Sequence, residues 1–505
     1  MQAEELKRLA PVEIVSVRAY RVLGAAGQPE VEVEVTTRQG AFRARVGVPF
    51  VGPKAAAGEA VGEGEEGEEG DGADAPPPES DEAGSGEGEA PGGEVPAEEA
   101  AEGAAEEGDE AAPGEERVAE EKSELTIAEE VDLAVQFLGE VLAPAVVGRD
   151  PREQAAADEA ITGALHGYAE ASGSPPPKFS AMVTLGLSLA LCRAGAAGAR
   201  NGNIVVHLAH LAGNTRPVIP VPVFTLINGG AAGDNAQLSL RAVQAMPTGA
   251  KSFAEALEMG AGSFQALRSL VQEQHAGDAL KVGAEGGLVP GVAGPEEALT
   301  LTAEAVEAAG CTGKLKIAVD AAAGDLYDAE SDTYRQSVGE EAGSRSAEDL
   351  VSQYETLCTE HGVISIHDPF AAGSLECLAR FTAQGACQVV GGVRGERGVA
   401  LDAAQMIETK AYSTLRLQLR ELHTLSDAIK VAQLAQKARC GLMVVHPPDA
   451  AGDTFAADLA VGLAAGQANF GAHRASGALC DRLRALEAAG GLPFAGEGYR
   501  FVAWA

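Results

Sequence analysis

From Pro217 to the carboxyl end, short apolar runs alternate with longer helical patterns. That alternation constrains the fold more than any other feature of the chain. The strand-like runs are KLKIAVD (314–320), GVISIHDP (362–369), CQVVGG (387–392), STLRLQL (413–419) and GLMVVH (441–446), and helical periodicity lies between them at 298–309, 348–360 and 424–438. PVIPVPVFTLINGG (217–230) opens the series, with its prolines confined to the start of the strand. About 280 residues of alternating β and α predict a closed β/α barrel. VISIHDPF, Val363 to Phe370, shows what one such strand delivers: period-two alternation runs into His367, Asp368 and a proline. At the carboxyl end of a barrel strand, polar residues are where chemistry is expected.

The patterning ahead of Pro217 differs. EVEVEVTT (30–37) alternates strictly, the chain turns at Gly40, and a second alternating run follows, which predicts a hairpin. Helices are predicted at 125–148 and 152–170, and KFSAMVTLGLSLALCRAGAAG (178–198) reads as a buried, Ala-rich helix. Residues 1–215 therefore read as an α+β domain preceding a barrel at 216–505. The first domain is interrupted at about 55–123 by a segment that cannot build a core. Residues 58–121 carry 25 Asp or Glu against one basic residue, Arg117, for a net charge of −24. They hold no aromatic residue, so nothing offsets the entropy of ordering them. The expectation is a disordered acidic insert, read either as a solvated loop or as bait for a basic protein partner.

The chain of 505 residues has a net charge of −38, which argues against nucleic acid or an anionic membrane as partner. No run reaches the roughly 18 consecutive apolar residues of a membrane span, and MQAEELKRLAP lacks the apolar stretch of a signal peptide. Seven scattered cysteines without a CxxC pair point to a reducing compartment, here taken as the cytoplasm.

Several of these stretches resemble the enolase family. SIHDPF is similar to the family's SIEDPF, KFSAMVTLGLSLALCRAGA to KFGANAILGVSLAVCKAGA, and the hairpin to the family's opening strands. INGG, GAEGG, AVDAAA, QVVG and DTFAADLAVGLAAGQ follow in the family's order. The resemblance implies an enolase-type (β/α)8 barrel behind an α+β cap, a homodimer, and a lyase that abstracts a proton α to a carboxylate with magnesium stabilising the product dianion.

The residues at the mouth do not carry that chemistry over. Of the three carboxylates that hold the family's first metal, Asp320 is retained, the second is His367, and the third, in the frame QVVGDD, is Gly392. Imidazole suits zinc or other transition metals better than magnesium. The catalytic lysine of LLLKVNQIG aligns with Gln418, an amide that cannot act as a base, and the second lysine, in GQIKTG, with Asn469. Glu285 keeps the family's acidic position in GAEGG, and His446 remains where SHRSGE has become VHPPDA, whose Pro447 and Pro448 replace the phosphate-gripping Arg and Ser. Arg394, two residues beyond Gly392, is the candidate for a guanidinium that takes over the metal's charge near Asp320 and Asp368.

Three readings stay open. One is an inactive enolase-like protein serving as a binding or structural component with no cofactor; such paralogues exist beside working enolases, some in cilia or flagella. The second is an altered lyase using the remnants Glu285, Asp320 and His446. The third is a magnesium-dependent phosphopyruvate hydratase of glycolysis.

Overall fold

The computed structural model describes residues 12–24, 27–47, 126–230, 235, 237–274, 281–336, 343–393, 399–446, 453–471 and 477–498. The acidic segment, Arg394, Pro447 and Pro448 lie outside these residues. An antiparallel meander of β1 (Ile14–Leu23), β2 (Pro29–Thr37) and β3 (Gly40–Gly47) comes first. The alternation in β2 places Val31, Val33 and Val35 against the core. Its opposite face is buried too, because cross-strand arginines cover the glutamates. Register sets Glu34 opposite Arg43 and Glu32 opposite Arg45, and each pair closes at 2.7 Å.

The helix Ser180–Arg200 packs on this sheet. A Cβ at Gly186 would lie 2.8 Å from Val33 Cγ2, so glycine is what lets the helix come this close. This helix corrects the reading that no run is apolar enough to span a membrane: by length and composition it is, with mean hydropathy 1.4. But 78% of that window is buried inside the protein, as expected of a core helix.

Eight strands then close a barrel in the order β4 (Val221–Asn228), β5 (Ala242–Met246), β6 (Lys316–Asp320), β10 (Val363–His367), β11 (Gln388–Gly392), β12 (Thr414–Gln418), β13 (Gly441–Val445) and β14 (Gln467–Asn469). A small sheet of β7 (Tyr327–Asp328), β8 (Thr333–Arg335) and β9 (Ser344–Arg345) stands outside the ring, between β6 and β10 in the chain. Within the ring, β5 runs antiparallel to both neighbours and the other pairings are parallel. The sequence reading does not include β5 or β14; β14, at three residues, is too short to show a period.

The barrel interior holds Val223, Met246, Ala318, Val390 and Met443. A polar layer accompanies them: Gln388 and Gln467 exchange amide hydrogen bonds at 3.0 Å, and Gln388 also donates to Thr414 at 2.7 Å. A buried network joins the helix Gln154–Ser172 to the barrel. Asp158 accepts from the N–H and hydroxyl of Ser426 at the start of the helix Leu425–Ala438, and from the Ser188 hydroxyl.

Candidate active site

The parallel strands end together, and their last residues carry the polar groups foreseen from sequence. Asp320 ends β6, His367 ends β10, Gly392 ends β11, Gln418 ends β12 and Asn469 ends β14. His446 follows β13, and its N–H donates to the Asn469 carbonyl at 3.0 Å. Pairing sets Gln418 beside Val445 and Val445 beside Asn469, so the two amides expected from the resemblance at the family's lysine positions stand at the same level with one strand between them. The Asn469 side-chain oxygen accepts from the Gly471 N–H at 3.0 Å.

Asp320 and His367 are adjacent in register and both buried. Past its strand, Asp368 takes a left-handed backbone conformation (φ 44°), which asparagine and aspartate tolerate better than most residues. There its carboxylate accepts from the Gly392 N–H at 3.2 Å. Ala322, just beyond Asp320, is also left-handed (φ 42°), a strained choice for alanine. Its N–H donates to the Asp320 carboxylate at 3.1 Å.

The residue that organises this end of the barrel is Arg416. Its Nη2 lies 2.7 Å from Asp368 Oδ2 and its Nη1 3.7 Å from Asp320 Oδ2. Burial opposes its charge, but Asp368 and then Asp320 outweigh that and hold the guanidinium protonated. The sequence reading gives the guanidinium role to Arg394, which lies outside the described residues, and does not single out Arg416. The signal was present: period two in TLRLQ puts Arg416 on the same face as Gln418.

His367 is fully buried, and neither ring nitrogen has a hydrogen-bond partner among the described residues. Burial, with Arg416 nearby, lowers its pKa to about 4 against the pull of Asp320 and Asp368, so the ring is neutral at pH 7.

Glu285 sits in the turn between Val282 and Leu288, and the Thr225 hydroxyl donates to its carboxyl at 3.3 Å. Burial, then the charge of Asp320, push its pKa up, while Arg241 opposes the shift. Arg241 is not among the residues singled out from sequence. It joins this cluster, pairing with Asp325 at 2.5 Å while its own N–H donates to the Asp320 carbonyl at 2.8 Å.

These residues do not fit a magnesium ion. Magnesium wants an octahedron of hard oxygens, and among the described residues no three His, Cys, Asp or Glu side chains converge to hold a metal. Of the three aligned ligand positions only Asp320 offers a carboxylate, and a guanidinium lies beside it.

The fold and this cluster define a β/α-barrel protein with its polar residues gathered at the carboxyl ends of the strands. The family model described as the C-terminal TIM barrel domain of enolase matches residues 216–487. An enolase of Eimeria tenella is 36% identical over 380 residues, covering 73% of this chain and 84% of that protein. An enolase of Solanum lycopersicum is 35% identical over 351 residues, 68% of this chain and 78% of its own length. Enolase 2 of Hevea brasiliensis is 34% identical over 349 residues, 68% and 77% of the two chains. The chain belongs to the enolase family.

Proposed function

We propose that this enolase-family barrel has given up the dehydration of 2-phosphoglycerate and serves as a binding or structural component. The observation that carries the reading is the pair Gln418 and Asn469, amides at the same level of the barrel mouth where the family's alignment places lysines. Proton abstraction next to a carboxylate needs a base, and an amide is not one. Loss of one positioned acid or base commonly removes about 10²–10⁴ in rate, and two of the three metal-ligand positions that the resemblance implies are replaced as well. The strongly acidic segment is the natural docking element for a basic protein partner, and a place in a ciliary or flagellar assembly, or in the cytoplasm at large, is compatible with this role.

The test is an assay of purified protein with 2-phosphoglycerate and magnesium. No turnover is expected, and a rate above about 1 s⁻¹, the low end for ordinary enzymes, overturns the proposal. Pull-downs with and without residues 58–121 test the binding role; partners retained only by the full chain support it.

One observation favours a second reading, an altered lyase. The Glu285 carboxyl, pushed toward its protonated form and hydrogen-bonded to Thr225, is the general acid of that reading, facing Asp320 and Arg241. The names of the curated relatives favour phosphopyruvate hydratase itself. The assay above separates that activity from both other readings.

A further inference from the structure

We propose that Arg416 is the resident cation of this barrel mouth: its guanidinium holds Asp320 and Asp368 in place of a divalent ion, so the folded protein neither needs nor takes up such an ion there. The inference draws on the reading above only for the altered ligand set. Its readout is stability and not turnover, so either can fail alone.

Three observations carry it. The two terminal nitrogens of Arg416 each face a different carboxylate, at 2.7 Å from Asp368 and 3.7 Å from Asp320. A planar fork of fixed charge suits such bridging, where an ammonium would act as a point charge.

The second concerns Gly392, which pairs directly with Arg416 across β11 and β12. A Cβ built on Gly392 would lie 3.0 Å from Arg416 Nη2 and 3.4 Å from Nε. A ligating side chain at 392 and the guanidinium at 416 therefore compete for one volume. The glycine and the arginine are two halves of a single change.

The third is His367. Fully buried beside Asp320 in the β6–β10 register, its imidazole presents no anionic oxygen to a divalent ion at the position where the resemblance implies a carboxylate. A divalent ion entering between Asp320 and Asp368 would meet the guanidinium at contact distance, where like charges repel strongly in a buried setting.

The experiment is thermal unfolding of the full chain with millimolar magnesium, with zinc, and with a chelator. Ligands of the native state raise Tm. Tm is expected to stay the same in all three, and a saturable rise with magnesium or zinc that the chelator reverses overturns the proposal. Arg416→Met is expected to lower Tm on the order of 5 °C, because it strands two buried carboxylates. Adding Asp368→Asn to that variant is expected to recover part of the loss. An unchanged Tm in Arg416→Met, or a further fall with Asp368→Asn, overturns the proposal. Should Arg416→Met fail to fold, Arg416→Lys keeps the charge and is expected to fold. A lysine variant as unstable as the methionine one overturns the role of the charge.

Discussion

Asp158 caps a helix of the barrel from outside it: its Oδ2 accepts from both the backbone N–H of Ser426, at 3.0 Å, and the Ser426 hydroxyl, at 2.6 Å. The two residues are 268 positions apart, on the helices Gln154–Ser172 and Leu425–Ala438. Ser188 and Gln154 donate to the other carboxyl oxygen. A negative charge at a helix N-terminus is favourable, and here four donors compensate for its burial.

Asp158→Ala is therefore expected to destabilise the protein by about 3 kcal/mol, because it leaves buried donors without an acceptor. Asp158→Asn, which keeps one acceptor, is expected to cost less. Urea unfolding of both variants checks the order; equal stability of Asp158→Ala and the parent overturns it.

Stability is expected to fall in acid through two buried imidazoles. His207 and His367 have pKa values lowered by burial from 6.5 to about 4. A depressed folded pKa contributes stability that is present above the unfolded value, near 6.5, and lost as pH falls through the folded value. Each is worth on the order of 3 kcal/mol across that window. Asp158 and Glu285 have the opposite sign: burial raises both, so they favour the folded state less as pH rises. Replacing His207 with glutamine is expected to flatten the loss between pH 6.5 and 4 in unfolding measured across pH. An unchanged slope rules His207 out as a source.

Returning the lysines should not return the chemistry. Gln418→Lys, Asn469→Lys and the double variant are all expected to show no turnover of 2-phosphoglycerate, since Arg416 still lies against the metal position. Gln418 is 8% exposed, so an ammonium there is also expected to destabilise the fold, by about 1–3 kcal/mol. Coupled assays and unfolding on the same preparations check both; activity in a single variant would show the mouth to be closer to a working site.

Among the thiols, Cys358 is expected to react first. It is half-buried, and a hydrogen bond from Cys387 lowers its pKa. Burial pushes Cys192 up and Cys440 to about 12, and that same hydrogen bond, with burial, pushes Cys387 up. Limited alkylation followed by peptide mass mapping should label Cys358 ahead of these three. Cys387→Ala is expected to slow it, since alanine has no donor to stabilise the Cys358 thiolate.

Much of the fold was legible from pattern alone. The runs around Ile317, Ile366, Val389, Leu415 and Met443 became barrel strands because each is short, apolar and bounded by turns. The hairpin at 30–47 was legible from alternation, but the burial of Glu32 and Glu34 was not, because it depends on Arg43 and Arg45 arriving from the next strand. At the mouth, the identities of Gln418, Asn469, His367 and Gly392 were readable one by one. That Arg416 pairs with Asp320 and Asp368 was not.

The sequence by itself determined the barrel and the family, because these rest on local periodicity and on motifs that stand in a fixed order along the chain. Only the tertiary structure decided that Arg416 meets Asp320 and Asp368. The physical reason is that the cluster is assembled across β6, β10, β11 and β12, whose register and closure bring 320, 368, 392 and 416 within a few ångströms. Proximity along the chain carries no information about that meeting.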